Sequence, residues 1–266
     1  MRRSAQTHGT AVFLRTGGRI GALGSVLACV VAAMLILAAA PAHAASKLIF
    51  ESPAVRVFRN DYSPGVISKV HEHRYGRFIY VLAGGSIKVI LRAAPGEKPP
   101  APTLADLETG RVAWRGPEAH RIGNVGWETV RLLEVEVKMA EEKSCLAGDA
   151  DDLGPPEGLE FPASGRPAFR NRWGTVIVHR VEKGRPLASP LPDRDRLIYW
   201  MSPCELGFTD RDGTARRLLR SAGALDWLGA GSGLAGVNEG PETVEAIELV
   251  LGAPAPPRRI VIKGLD

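Results

Sequence analysis

Beyond its first forty-odd residues the chain is a succession of short apolar runs cut by turn residues. Segments 55–58, 78–82, 87–91, 112–114 and 130–137 read as strands. The last alternates best, with Val130, Leu132, Glu134 and Glu136 on one face and Arg131, Leu133, Val135 and Val137 on the other. Turn clusters such as Ser63-Pro64-Gly65, Ala83-Gly84-Gly85 and Asn124-Val125-Gly126 separate the runs. Segment 139–166 breaks the pattern: it is polar, then rich in Asp, Gly and Pro, and reads as a linker. Strand-like runs resume at 175–179, 197–201, 205–208, 216–219 and 244–251. Strands this short at this spacing predict an all-β sandwich or barrel, with no long amphipathic helix.

The two strand-rich halves repeat one another. Arg77-Phe78-Ile79-Tyr80 aligns with Arg196-Leu197-Ile198-Tyr199 at an offset of 119, and Gly65 falls on Gly184 at the same offset. Asn124-x-Gly126-x-Glu128-Thr129-Val130 aligns with Asn238-x-Gly240-x-Glu242-Thr243-Val244 at an offset of 114, and Trp114 pairs with Trp227. A shared order of elements at nearly constant offset is the mark of an internal duplication.

The N-terminus changes the reading of charge. Residues 1–19 carry four arginines and no acid, 20–40 are apolar or small, and Pro41-Ala42-His43-Ala44 supplies the small residues a signal peptidase needs. This predicts a secretory signal cleaved after Ala44, and a periplasmic or secreted protein. The alternative is an uncleaved membrane anchor through residues 20–40. The whole chain carries +5, and those four arginines account for all but +1 of it. The basic balance therefore implies no nucleic-acid partner, and no membrane contact beyond the signal or anchor. Export would place Cys145 and Cys204 in an oxidising space, where they either bridge or remain partly buried thiols.

Four histidines follow the signal, at 71, 73, 120 and 179. Residues i and i+2 of a strand share a face, so His71 and His73 can aim at one point. In a closed barrel His120 can join them. Neutral imidazole suits Zn, Fe, Mn, Ni or Cu. The competing reading is a pair of ordinary surface histidines. His179 lies outside this spacing and reads as an ordinary strand residue. Trp114, Tyr80 and Ile79 read as core before pocket lining. No Gly-x-Ser-x-Gly, phosphate loop, dinucleotide fingerprint or His-Glu-x-x-His occurs.

The spacing resembles the cupin family. Its first motif, G-x5-H-x-H-x3-E-x6-G, is matched by Gly65, His71, His73 and Gly84, with Arg77 where the family has glutamate. Its second motif is matched by Gly110, His120 and Asn124, with Arg115-Gly116-Pro117 in place of Pro-x-Gly and one residue fewer overall. The resemblance covers about residues 50–138 and, more weakly, 167–252. It implies a bicupin: two tandem small jelly-roll barrels, with the histidine barrel at 46–138, the linker at 139–166, a second barrel at 167–253 and a tail at 254–266. It implies a divalent metal on His71, His73 and His120, with Fe, Mn, Zn and Ni undistinguished. Arg77 cannot ligate, because guanidinium has no lone pair to offer. It would swing aside, pair with Glu72 or Glu118, or bind an anionic substrate. In the second half Pro190 and Pro192 replace His71 and His73. The expected functions are a metal-dependent dioxygenase or isomerase acting on a small molecule, or a metal-free ligand-binding or structural bicupin. A homodimer through barrel edges also follows from the resemblance.

Overall fold

In the computed structural model, residues 44–93, 96–141, 145, 150–154, 161–209, 213–232 and 235–252 are described. The expected signal or anchor lies outside them except for Ala44, as does the expected tail. The described residues form strands and no α-helix, in two jelly-roll barrels.

The first half contains β1 (Ala44–Glu51), β2 (Val55–Tyr62), β3 (His71–His73), β4 (Tyr75–Ala83), β5 (Gly85–Leu91), β6 (Thr103–Leu107), β7 (Val112–Arg115), β8 (Glu118–Asn124) and β9 (Val130–Glu141). They make a five-stranded sheet in the order β1-β2-β9-β4-β7 and a four-stranded sheet in the order β3-β8-β5-β6. The second half contains β10 (Gly165–Asn171), β11 (Gly174–Val181), β12 (Pro186–Ala188), β13 (Arg196–Trp200), β14 (Cys204–Thr209), β15 (Ala215–Arg220), β16 (Leu225–Leu228), β17 (Ala235–Asn238) and β18 (Val244–Leu251). Its sheets run β10-β11-β18-β13-β16 and β12-β17-β14-β15, the same orders with every strand displaced by nine. The duplication read from the sequence is thus a duplication of topology.

The alternation along β9 explains its place. Val130 and Leu132 pack inside the first barrel with Tyr62, Val81, Ile87 and Ile122. Leu133, Val135 and Val137 face the other way, into a core shared with Phe169, Val176, Leu197, Tyr199, Ile247 and Leu249 of the second half. A strand with two faces to bury belongs at the centre of its sheet, and β9 is the third of five. The two five-stranded sheets therefore pack back to back. Aromatic side chains bridge them: Phe50 stacks on Trp227 at 6.0 Å, and Phe169 meets Phe78 edge-on at 6.0 Å. Trp114 lies in this shared core, as do Tyr80 and the rim of Trp227.

The second barrel is filled differently. Val181, Trp200, Leu206, Val244 and Ala246 form its interior. Trp200 stands where the first barrel has Val81, and Ala246 where it has Leu132. One large side chain is thus offset by smaller neighbours, which preserves packing density. Cys204 belongs to this interior while Cys145 packs against the inter-barrel core, and the two are thiols with no disulfide between them.

One polar device closes both barrels. Asn124 Nδ2 donates to the carbonyls of Tyr62 (2.8 Å) and Glu128 (2.7 Å), and its Oδ1 accepts from Gly126 N (2.9 Å). Asn238 repeats this with Val181 (2.9 Å), Glu242 (2.8 Å) and Gly240 N (3.0 Å). Gly65 and Gly184, at φ 74° and 73°, turn the chain beside them, and each amide donates to that asparagine's carbonyl. Replacing either asparagine by alanine strands buried backbone groups. Asn124→Ala and Asn238→Ala are each expected to lower the unfolding free energy by about 2–4 kcal/mol, measured by chemical denaturation.

Candidate metal centre

Strand β3 has only three residues, and its alternation decides the site. Glu72 faces outward, while His71 and His73 face the barrel. Pairing with β8 sets His71 opposite His120 and His73 opposite Glu118. The three imidazole centroids lie 4.6–5.1 Å apart. One ring nitrogen from each falls within 4.8 Å of the others, and this is the one such ligand cluster among the described residues. The sequence spacing and the fold thus agree on which side chains meet.

Each ring is oriented by an acceptor at Nδ1: the Lys69 carbonyl for His71 (3.1 Å), Glu136 for His73 (2.8 Å) and Glu118 for His120 (3.0 Å). An oxygen acceptor at Nδ1 draws the ring proton there and leaves the Nε2 lone pair free. The Nε2 atoms of His73 and His120 are buried and have no hydrogen-bond partner. Burial pushes the His71 imidazole below its ordinary range and outweighs the Lys69 carbonyl, so the ring is neutral near pH 7. Three imidazoles, each held by an outer carboxylate or carbonyl, form a donor set that fits a divalent transition metal. Such an ion would satisfy two otherwise orphaned nitrogens.

Arg77 occupies the position where a metal-binding carboxylate was expected, and its surroundings answer the charge problem this raised. It is 1% exposed. Nε donates to Glu134 (3.0 Å), Nη1 to the Gly116 carbonyl (3.0 Å) and Nη2 to Glu118 (2.7 Å). Of the roles weighed from sequence, pairing with Glu118 is the one its hydrogen bonds carry, with Glu134 as a second carboxylate. The Glu72 pairing is absent, since that side chain points outward. A guanidinium committed to three protein acceptors in the barrel wall is placed as an internal ion pair, not as an anion clamp. Burial raises the Glu118 pKa, but hydrogen bonds from His120 and Arg77 with Arg77's charge outweigh it and hold the carboxylate at about 2. Burial opposes ionisation of Glu134, but the Arg77 charge and the Asn60 hydrogen bond help to hold it below the usual carboxylate range.

Sequence reasoning missed Glu134, Glu136 and Asn60. The signal was present: on the inward face of β9 two glutamates follow Val130 and Leu132, and a carboxylate on a buried face needs a partner. Asn60 donates to Glu134 at 2.9 Å, and Arg56 supports Glu136 at 3.2 Å.

The second barrel keeps the ion pair without the histidine cluster. Arg196 Nη1 lies 3.4 Å from Glu248, and Nη2 donates to the Ser232 carbonyl. His179 is not an ordinary strand residue: it is buried and its Nε2 donates to Glu248 at 2.8 Å. By the repeat offsets His179 stands where the first barrel has Asn60, and Glu248 where it has Glu134. Strand β12 ends at Ala188, and Pro190 and Pro192 follow at the positions of His71 and His73. Proline has no amide hydrogen for a ladder, so β12, the edge strand in the place of β3, stops short of these two positions.

Beside His73 a polar hollow of about 540 Å³ is lined by Glu72, Arg74, Pro117, Glu118 and Glu141. A separate cavity of about 730 Å³ lies where Tyr80 meets Gly165, Arg166, His179 and Met201.

Burial opposes ionisation of Glu248, but His179 and Arg196 outweigh it and lower its pKa. Its contribution to stability is therefore complete above the ordinary glutamate range and is lost as pH falls through the lower folded value. Glu248→Gln, which leaves Arg196 buried without its counter-charge, is expected to cost about 3 kcal/mol at neutral pH. The difference from wild type should shrink only below about pH 4.5, as followed by denaturation across pH.

No protein-family model matches the sequence, and no curated protein matches it. Solved structures do. Oxalate decarboxylase from Bacillus subtilis, in a structure concerned with its Mn(II) centres, is 15% identical, with a TM-score of 0.53 over 80% of this chain and 74% of that one. AerE from Microcystis aeruginosa is 10% identical, with a TM-score of 0.53 over 79% of this chain and 98% of that one. A formate complex of Lactobacillus farciminis oxalate decarboxylase is 13% identical, with a TM-score of 0.50 over 80% and 84% of the two chains. At such identities the likeness concerns the fold, and the fold is that of the cupins.

Proposed function

We propose that this protein is an exported bicupin that holds one divalent transition metal on His71, His73 and His120 and uses it on a small molecule. The observation that carries this reading is the set of three Nδ1 anchors, which leaves convergent Nε2 lone pairs, two of them buried without a partner. Mn is favoured by the oxalate decarboxylase likeness, while an all-imidazole donor set also accepts Fe, Zn or Ni. The basic then apolar segment before Ala44 supports export. The repeated topology supports the bicupin reading.

A bound ion would supply Lewis-acid polarisation of an oxygen-bearing ligand. The chain's own residues do the rest. Glu118 and Glu136 hold His120 and His73 in the tautomer that presents Nε2. Arg77 keeps Glu118 ionised and in place. His71 is half-buried, and the ligating cluster is open on its side. The hollow next to His73, lined mostly by charged side chains, offers room for a small polar molecule. The second barrel, with prolines in place of ligands, acts as a packing partner through the shared core.

One observation favours a metal-free alternative: His73 lies between two buried carboxylates, Glu136 at 2.8 Å and Glu134 at 3.6 Å. Elemental analysis separates the two. The purified protein is expected to hold about one metal per chain, and His71→Ala/His73→Ala is expected to hold none. Stoichiometric metal in the double variant, or a wild type left empty after loading with Mn, Fe, Zn and Ni in turn, overturns the metal reading.

A further inference from the structure

Two hollows adjoin where the back-to-back sheets meet, and neither is lined by His71, His73 or His120. The cavity of about 730 Å³ has Arg166 and Arg185 in its wall, and a hollow of about 480 Å³ has Arg59 and Arg131. Tyr80, Met201 and Glu245 line both, so the two form one continuous cleft. Each part is of the size that takes a small organic molecule.

Tyr80 and Tyr199 occupy the same position of the repeat, and both line this cleft. Their rings belong to the shared core, and the two residues are only 8% and 4% exposed. Phenylalanine would fill that space equally well. What tyrosine adds is a hydroxyl, and a buried tyrosine ordinarily finds a partner for it. Neither of these hydroxyls has a hydrogen-bond partner among the described residues. Neither is enclosed either, so both tips emerge from the core into the cleft. Burial, and then the Glu245 charge, push the Tyr80 hydroxyl above its ordinary range against Arg166, so it stays protonated and can donate.

The charges around these hydroxyls are unequal. Five arginines line the cleft against two glutamates, Glu182 and Glu245. Arg180 pairs with Glu245 at 3.2 Å, while Arg59 and Arg131 approach Asp61 only to 3.6 and 4.0 Å. Arg166 and Arg185 have no ion-pair partner among the described residues. Gly223 turns at φ 83° beside Tyr199, and a Cβ placed there would lie 3.8 Å from both the Tyr199 hydroxyl and Arg59 Nη1. The bare glycine leaves that spot open between a donor and a cation. Each hollow thus has its own arginines, and the part they share has the Tyr80 hydroxyl and the Glu245 carboxylate. A complementary ligand carries anionic groups for the arginines and hydroxyl donors for Glu245 along one chain. A single inorganic anion would fill one hollow and leave Glu245 opposed to it. We propose that this inter-barrel cleft binds an acidic oligosaccharide, a short chain of uronate sugars. Arg59 and Arg166 take its carboxylates, and Tyr80, Tyr199 and Glu245 bond to its hydroxyls. The site stands independently of the metal reading.

The test is calorimetric titration of the full-length protein with trigalacturonate and trimannuronate, with maltotriose and inorganic phosphate as controls. At least one acidic trimer is expected to bind with a Kd below about 1 mM. Maltotriose and phosphate are expected to bind at least about 10-fold more weakly than that trimer. Tyr80→Phe/Tyr199→Phe, which keeps both rings in the core, is expected to weaken the trimer at least about 5-fold. Arg59→Ala/Arg166→Ala, which removes side chains that reach solvent, is expected to do the same, and it decides the matter if the tyrosine variant does not fold. His71→Ala/His73→Ala should bind the trimer as wild type does, which separates the cleft from the metal centre. Weaker binding of both trimers, equal binding of maltotriose or phosphate, a smaller loss in the arginine variant, or a matching loss in the histidine variant overturns the proposal.

Discussion

A carboxylate inside a β-barrel is tolerated only if its charge is met, and in this protein an arginine from the neighbouring strand meets it twice. Arg77 faces Glu134 and Arg196 faces Glu248, each pair joining the same two strands of its sheet. Replacing either partner would leave an uncompensated buried charge, which costs more than the intact pair returns. The rest of the first barrel's polar interior is organised around this pair. Glu118 is drawn in by Arg77 and orients His120, and Asn60 fixes the free oxygen of Glu134. The histidine cluster is thus an addition to an ion pair that the fold already carries in both copies.

The two copies show what had to change for chemistry to appear in one of them. The second barrel has Val250 where the first has Glu136, and so lacks the acceptor that orients His73. It has His179 where the first has Asn60, and that imidazole bonds to Glu248 as Asn60 does to Glu134. It has Pro190 and Pro192 at the positions of His71 and His73, just beyond the end of β12. Its interior is occupied by Trp200. Each change favours packing over ligation. The back-to-back sheets explain why both copies are kept: the apolar outer face of each five-stranded sheet is covered by the other, and neither would be buried alone.

Much of this was readable from residue order. The alternation in 130–137, the repeated Arg-x-Ile-Tyr and Asn-x-Gly-x-Glu-Thr-Val segments and the spacing of His71, His73 and His120 announce an all-β duplicated fold and a ligand cluster. Other strands were not legible. β8 has a polar sequence, because its inward positions carry His120 and Asn124 in place of aliphatic residues. β12 and β17 are too short to show a period. β6 is largely solvent-facing, so its sequence carries little burial signal.

By itself the sequence determined which residues alternate, which repeat and which imidazoles share a strand face, because these follow from the two-residue period of a strand. Only the tertiary structure decided which charges meet. Arg77 and Glu134 are 57 positions apart, and His73 and Glu136 are 63 apart. Strand order and register bring such pairs together, and a local pattern does not encode either. The arginine that broke the motif in sequence becomes, in the folded barrel, the group that holds a carboxylate beside the histidines.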